Sequence, residues 1–314
     1  MNVSVCTVAS GRGSFLANMI KGLRRSCRPP GELIVTFRQH ERRALPETSF
    51  PVRGAMVASA SPSNAAARNA AARQASGRLL VFLDESCVPD PTLIEDYILA
   101  ASTHGGILMG NVGYLPEGAC DSGIDIARFR QVAVAHPDYP SAPSGGPVRC
   151  TDPRLFAPAS FAIRAEDYAA LGGFDEGFQA AGLAGIDFAR AAISRDLPLW
   201  QMGDARAYCQ FHVQQMPPVD QCDEVLADVD RFVAKWGEPV MDDWLRIFKL
   251  MGLVRRDGQR WIKLHEPTET DLALVRQPEG QRVASSQRLL RSLEDRTVLR
   301  IDQAGRSSSS SAAA

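Results

Sequence analysis

The chain has 314 residues, and its 35 Lys and Arg against 36 Asp and Glu leave a formal net charge of −1. Hydrophobic residues make up 45% and charged ones 23%, the mixture of a soluble globular protein long enough to bury a core without metal or disulfide staples. Balanced charge excludes a general nucleic-acid binder, which needs surplus Lys and Arg, and the composition excludes collagen-like, coiled-coil and wholly disordered chains.

The opening third alternates strand-like and helix-like periods. Val3 to Val8 is a short, β-branched apolar run that predicts a buried strand, broken by Gly11 and Gly13. Phe15, Leu16, Met19, Ile20 and Leu23 then recur at helical spacing, with Ser14 as the candidate N-cap. Pro29, Pro30 and Gly31 end that helix, and Glu32 to Phe37 predicts a second strand. After a polar loop from Arg38 to Ser49, a third strand is expected at Val52 to Val57. An Ala-rich helix follows from Ser63 to Ala75, opened by Ser61-Pro62-Ser63. Leu79 to Leu83 is a continuous apolar run ending at Asp84, and Asp90-Pro91-Thr92 starts a helix over Leu93 to Ala101. This order calls for a mainly parallel central sheet flanked by helices, in which ligands sit beyond the carboxyl ends of the strands.

Farther on, a strand is expected within Gly105 to Val112, and Tyr114 to Pro153, with several Pro and Gly residues, reads as one long loop. Ser160 to Arg164 predicts a strand, then a helical turn ending at Leu171-Gly172-Gly173, a helix over Ile186 to Arg195, and strands at Leu197 to Met202 and Ala205 to Cys209. Two amphipathic helices, Val225 to Trp236 and Met241 to Met251, flank Gly237-Glu238-Pro239, and a tight turn falls at Arg256 to Gln259. The expected organisation is a ligand-binding domain over residues 1–215, a helical extension packed on it over 216–276, and a polar, flexible tail over 277–314 that ends in low complexity.

Seven scattered cysteines with no C-x-x-C spacing suit reduced thiols, so a cytoplasmic location is expected. No basic stretch followed by a long apolar one opens the chain, so no signal peptide is expected. No run approaches the ~18 apolar residues of a membrane span.

Chemistry concentrates at the strand ends. Asp84-Glu85-Ser86 places carboxylates just past a buried strand, where they can hold a divalent cation or merely solvate the strand end. Arg68, on the helix before that strand, can pair with phosphate or lie on a solvated face. Gly11-Arg12-Gly13 lacks the complete dinucleotide loop, since position 16 is Leu, and no acidic residue ends the second strand.

Taken together, the strand VSVCTVASGR, the helix AARNAAARQASG, the strand end VFLDESCVPDP and the stretch FAIRAEDYAALGGFDEGF form one collinear series. That series resembles the family 2 glycosyltransferases of the A-type nucleotide-sugar-binding fold, in particular their bacterial galactosyltransferase-related branch. RFVAKWGEPVMDDWLRIFKLMGL resembles the C-terminal helices of that branch, so the likeness covers roughly residues 2–255.

The resemblance implies an α/β fold of the A-type with a C-terminal helical appendage, and transfer of a hexose, with inversion, from a nucleotide-sugar donor to a carbohydrate-type acceptor. A UDP-sugar is the implied donor. Val8, Ser10, Arg12 and Arg68 would bind its nucleotide, together with Asp84, Glu85 and Ser86. Gly173, Phe174 and Asp175 would shape the acceptor and donor-sugar pocket. Mn²⁺ or Mg²⁺ would sit on Asp84, with His212 completing its shell.

Three catalytic positions depart from the family pattern. Ser86 replaces the second Asp of the Asp-x-Asp motif, and extended geometry turns Glu85, between the two, to the other side. The Glu-Asp pair that supplies the base reads Ala184-Gly185, leaving Asp187 as the surviving acid, equally suited to cap its helix. The first His of a His-Gln-x-His pattern is Cys209. These departures leave two expectations: a transferase whose diphosphate rests on Arg68 and Asp84, or an inactive relative that binds a nucleotide sugar, a glycan or a protein partner. Nucleotidyl transfer ranks last, because the chain lacks a Gly-rich, Lys-bearing N-terminal loop.

Overall fold

The computed structural model describes residues 1–11, 13–38, 45–57 and 63–296. They divide into two compact units that part between His212 and Val213.

The first unit begins with β1 (Val3–Ala9), whose side chains are buried almost throughout, and α1 (Gly13–Leu23). Leu16, Met19, Ile20 and Leu23 form the buried stripe that the spacing predicts. Helix α1 begins one residue before Ser14, so Ser14 lies inside it and does not cap it. β2 (Glu32–Phe37) and β3 (Val52–Ala55) follow, then α2 (Asn64–Gln74). Ser63 caps α2, its Oγ accepting from the Ala66 N–H at 3.2 Å. Ala65, Ala66, Ala67, Ala70 and Ala71 line the buried side of α2, where small side chains let its backbone approach the sheet closely. β4 (Leu79–Leu83), the short β5 (Cys87–Pro89), α3 (Leu93–Thr103) and β6 (Ile107–Tyr114) complete the opening half.

The stretch expected to be one long loop contains α4 (Ile126–Val132) and β7 (Pro147–Cys150). Asp125 caps α4 by accepting from the Arg128 N–H at 3.0 Å, and Phe129 anchors it in a small separate core. β8 (Ser160–Arg164), α5 (Ala165–Leu171), α6 (Leu183–Ile193) and β9 (Leu199–Cys209) close the unit. The two strands expected at 197–202 and 205–209 are one, because a register shift against β6 between Gly110 and Asn111 absorbs the intervening residues.

Among the described residues the strands form a sheet in the order β3-β2-β1-β4-β8-β6-β9-β5, with β7 also on β9. The pairs β3-β2, β2-β1, β1-β4 and β6-β9 are parallel, while β8, β5 and β7 run antiparallel to their neighbours. At the amino ends of β1 and β2, buried Glu32 gathers Ser4 Oγ, the Ser76 N–H at 2.7 Å, Ser76 Oγ at 2.9 Å and the Arg53 guanidinium. Burial pushes the Glu32 carboxyl up, but these donors outweigh it and hold the group down at about 2.

The second unit contains α7 (Cys222–Trp236), α8 (Asp242–Leu250), the hairpin β10 (Val254–Asp257) and β11 (Arg260–Lys263), and α9 (Glu269–Val275). The expected turn at 256–259 is the bend of that hairpin. Of the stretch expected as a polar tail, residues 286–296 are helical, and Val283, Ala284 and Leu293 are buried, so apolar contact orders it that far. No helix among the described residues is long and apolar enough to cross a membrane.

Candidate functional site

Because β1 and β4 are parallel neighbours, their carboxyl ends deliver Thr7, Val8, Leu83 and Asp84 to one place. With Arg68 from α2 and Pro158 from the segment before β8, they line a crevice of about 10 Å³. That volume holds about one water. Thr7 Oγ1 is buried with no partner among the described residues, on the sheet face it shares with Val3 and Val5 and away from Arg68. Arg68 is half-buried; burial lowers its pKa, while Asp84 and Tyr168 act in the opposite direction. The Arg68 guanidinium lies 5.4 Å from the centre of the Phe174 ring, which fixes its far face.

The other expected site residues have varied fates. Asp84 Oδ1 accepts from the Ser86 N–H at 2.9 Å and from Ser86 Oγ at 2.7 Å, so one carboxylate oxygen is spent on closing its own turn. Glu85 is buried, and its Oε1 accepts from the Ser10 N–H at 3.0 Å and from Ser10 Oγ. It fastens the end of β1 to the end of β4. Val8 lines the crevice, Ser10 is exposed apart from that link, and Arg12 lies outside the described residues.

The Gly172-to-Glu176 turn is held from below. Asn69, on α2 beside Arg68, donates to the Phe174 carbonyl at 2.8 Å and to Glu176 Oε1 at 2.9 Å. Its Oδ1 accepts from the Phe174 N–H at 2.9 Å and from the Tyr168 hydroxyl at 2.6 Å. A Cβ at Gly173, where φ is +74°, would lie 2.6 Å from that same oxygen. Phe174 is packed among Phe82, Phe161, Tyr168 and Phe188, so it is a core ring and does not line the crevice. Asp175 Oδ1 accepts from the Gly177 N–H at 3.0 Å, closing the turn.

Asp187 does not cap its helix. Gly182 stands at the N-cap, which places Asp187 in the second turn of α6, where it is only 2% exposed. A Cβ at Gly185 would sit 3.2 Å from Cδ of Pro158, one of the residues lining the crevice. His212 Nδ1 lies 3.0 Å from the Gln210 carbonyl, and its ring is 5.8 Å from Phe15. Cys209 Sγ is 3.4 Å from Ser86 Oγ. A hydrogen bond from Cys87 and the neighbouring His212 hold the Cys209 thiol below its ordinary range against the effect of burial.

No three His, Cys, Asp or Glu side chains converge as metal ligands among the described residues. One carboxylate with a spent oxygen, a serine and a carboxylate turned to Ser10 do not fit a resident Mg²⁺ or Mn²⁺, which calls for several free oxygen donors. A second cavity of about 70 Å³ is lined by Ala157 and Ala159, the neighbours of Pro158. Tyr114, His136 and Tyr139 bring rings to it, and Asn111, Ser141 and Gln201 bring polar groups. Sequence reasoning passed over Thr7 and Pro158. Thr7 is one of two hydroxyls, with Ser4, in a strand otherwise made of apolar residues and a cysteine.

No known protein family matches the chain, and no curated protein matches it. Solved structures do. S. aureus TarS residues 1–349, in complex with UDP-GlcNAc, superimposes with a TM-score of 0.51 at 13% identity, over 74% of this chain and 67% of that one. GalNAc-T7, with UDP, GalNAc and Mn²⁺, gives a TM-score of 0.54 at 16% identity, over 80% of this chain and 51% of that one. The chain thus spans about two thirds of the TarS fragment and half of GalNAc-T7. At such identities the likeness establishes the fold: the chain has the GT-A fold of nucleotide-sugar glycosyltransferases.

Proposed function

We propose that the chain is a family 2-type glycosyltransferase that binds a UDP-sugar with its diphosphate against Arg68 and transfers the hexose, with inversion, to a carbohydrate hydroxyl. The observation that carries this reading is the meeting of Arg68 and Asp84 where β1 and β4 end, the place where open α/β sheets bind ligands. A fixed, half-desolvated guanidinium is a bidentate partner for phosphate oxygens. In this reading it supplies the charge that a cation would otherwise bring, and it offsets Asp84, which would repel the diphosphate. The ring-and-amide cavity beside Pro158 suits a pyranose, whose apolar face rests on rings while its hydroxyls find polar partners.

Gly185 favours a second reading, binding without efficient transfer. It stands beside Pro158 with no carboxylate, while Glu85 is committed to Ser10 and Asp187 is buried within α6. A missing general base costs about 10²- to 10⁴-fold in rate, which slows transfer without abolishing it.

Both readings are tested with UDP-, GDP-, dTDP- and CMP-sugars, scored by thermal shift and by nucleotide release, with Mn²⁺ and with chelator. The expected result is stabilisation by the UDP-sugar, of ~2.7 kcal/mol at about 100-fold excess over Kd, unchanged by chelator, with slow UDP release. Binding without release establishes the second reading. Absence of binding to every donor, or binding that requires Mn²⁺, overturns the role given to Arg68.

A further inference from the structure

β5 is a three-residue edge strand paired antiparallel to the end of β9, and its register sets Cys87 directly opposite Cys209. The Gln210 N–H donates to the Ser86 carbonyl at 2.8 Å, and the Asp90 N–H donates to the Arg206 carbonyl at 3.0 Å. These bonds place the hydrogen-bonded pairs at 86/210 and 90/206, so 87/209 is a non-hydrogen-bonded pair. In such a pair the Cα atoms lie about 4.5 Å apart and the side chains share one face, within the ~4.4–6.8 Å that a disulfide spans. The remaining cysteines (Cys6, Cys27, Cys120, Cys150 and Cys222) face no cysteine across a strand pair.

From this register we infer that Cys87 and Cys209 form a peroxide-oxidisable dithiol that closes to a cross-strand disulfide in the folded protein. Hydrogen peroxide oxidises one thiol to a sulfenic acid; its O–O bond breaks, and one oxygen leaves as water. The second sulfur attacks that sulfenic sulfur, the S–S bond forms, the S–O bond breaks, and the second oxygen leaves as water. Two thiols and one peroxide give one disulfide and two waters, with both sulfurs oxidised and the peroxide reduced. The reaction also has a route to the crevice. Cys209 Sγ touches Ser86 Oγ, and Ser86 Oγ donates to Asp84 Oδ1. Drawing Cys209 toward Cys87 removes a neighbour of the hydroxyl that closes the Asp84 turn.

The test is peptide mapping of the full native chain after graded hydrogen peroxide, with free thiols blocked before digestion. The expected product is a Cys87–Cys209 linked peptide, lighter by two hydrogens and reopened by dithiothreitol. It should persist in Cys27→Ser and vanish in Cys87→Ser and in Cys209→Ser. Should either of those variants fail to fold, the wild-type map still decides. Modification of exposed Cys27 alone, or a linked peptide that appears only when peroxide is added in denaturant, overturns the inference. Because the readout is a covalent bond, it stands or falls separately from donor binding.

Discussion

Two regions meet at helix α2, one on Asn69 and one on Arg68, and they are built in opposite ways. The turn from Gly172 to Glu176 is over-determined: one buried amide contacts Phe174 through both its N–H and its carbonyl, and also takes up Tyr168 and Glu176. The crevice at Asp84 is under-furnished, with a half-spent carboxylate and a guanidinium that has Asp84 as its near counter-charge. In the proposed reading, adjacent residues on one helix divide labour, Asn69 to hold the frame and Arg68 to face a ligand. An incomplete set of polar partners is tolerable at an open site and costly in a core.

Substitutions can break this contrast. The largest effect is expected from Asn69→Ala, which strands two buried backbone groups and the Tyr168 hydroxyl; the folded state should lose ~3 to 4 kcal/mol in urea denaturation. Gly185→Asp comes next. It returns a carboxylate to the side of Pro158, and UDP release should rise about a hundredfold if that position is where a base works, at a small cost for the 3.2 Å approach. No change in release would show that position 185 lies off the reaction path. Arg68→Ala should weaken UDP-sugar binding ~10- to 30-fold in calorimetry, while stability moves by less than about 1 kcal/mol. Equal loss of stability in the Asn69 and Arg68 variants would erase the distinction between frame and site.

The effect confined to low pH concerns a carboxylate furnished in the opposite way to Asp84. Glu32 is held down at about 2 by its four donors, below the ordinary ~4.3 of an unfolded glutamate. The ionised form therefore favours folding. That contribution is complete above pH ~4.3 and is lost as pH falls through about 2. Melting temperatures taken across that window should fall more steeply for the wild type than for Glu32→Gln.

Much of this was legible in the chain itself, for reasons that differ residue by residue. Arg68, Val8 and Asp84 were readable as neighbours because a parallel sheet puts successive strand ends on one edge, and buried runs such as Leu79 to Leu83 mark those ends clearly. The uses of Asn69 and Ser86 were not. Asn69 finds its partners about a hundred positions away, and Ser86 closes a turn only because Asp84 accepts from it twice. Periodicity carries no trace of either. Helix α4 and strand β7 were hidden for another reason. They are short, and what fixes them is a cap at Asp125, a buried Phe129 and a partner strand distant in sequence, none of which lengthens an apolar pattern.

Gln210, one residue past β9, spends both ends of its amide on α1. Its Oε1 accepts from Asn18 Nδ2 at 2.8 Å, and its Nε2 donates to the Phe15 carbonyl at 3.1 Å. β1 and β9 lie well apart in the sheet order, yet this one side chain ties the helix that follows the first to the end of the second. The first turns of α1 are thereby anchored like a beam pinned at its near end, and any rearrangement of the loop leading into it must be accommodated upstream of Phe15. A ligand that reorders that loop would leave the helix in place, and hydrogen exchange at Met19 to Leu23 would report the same protection before and after.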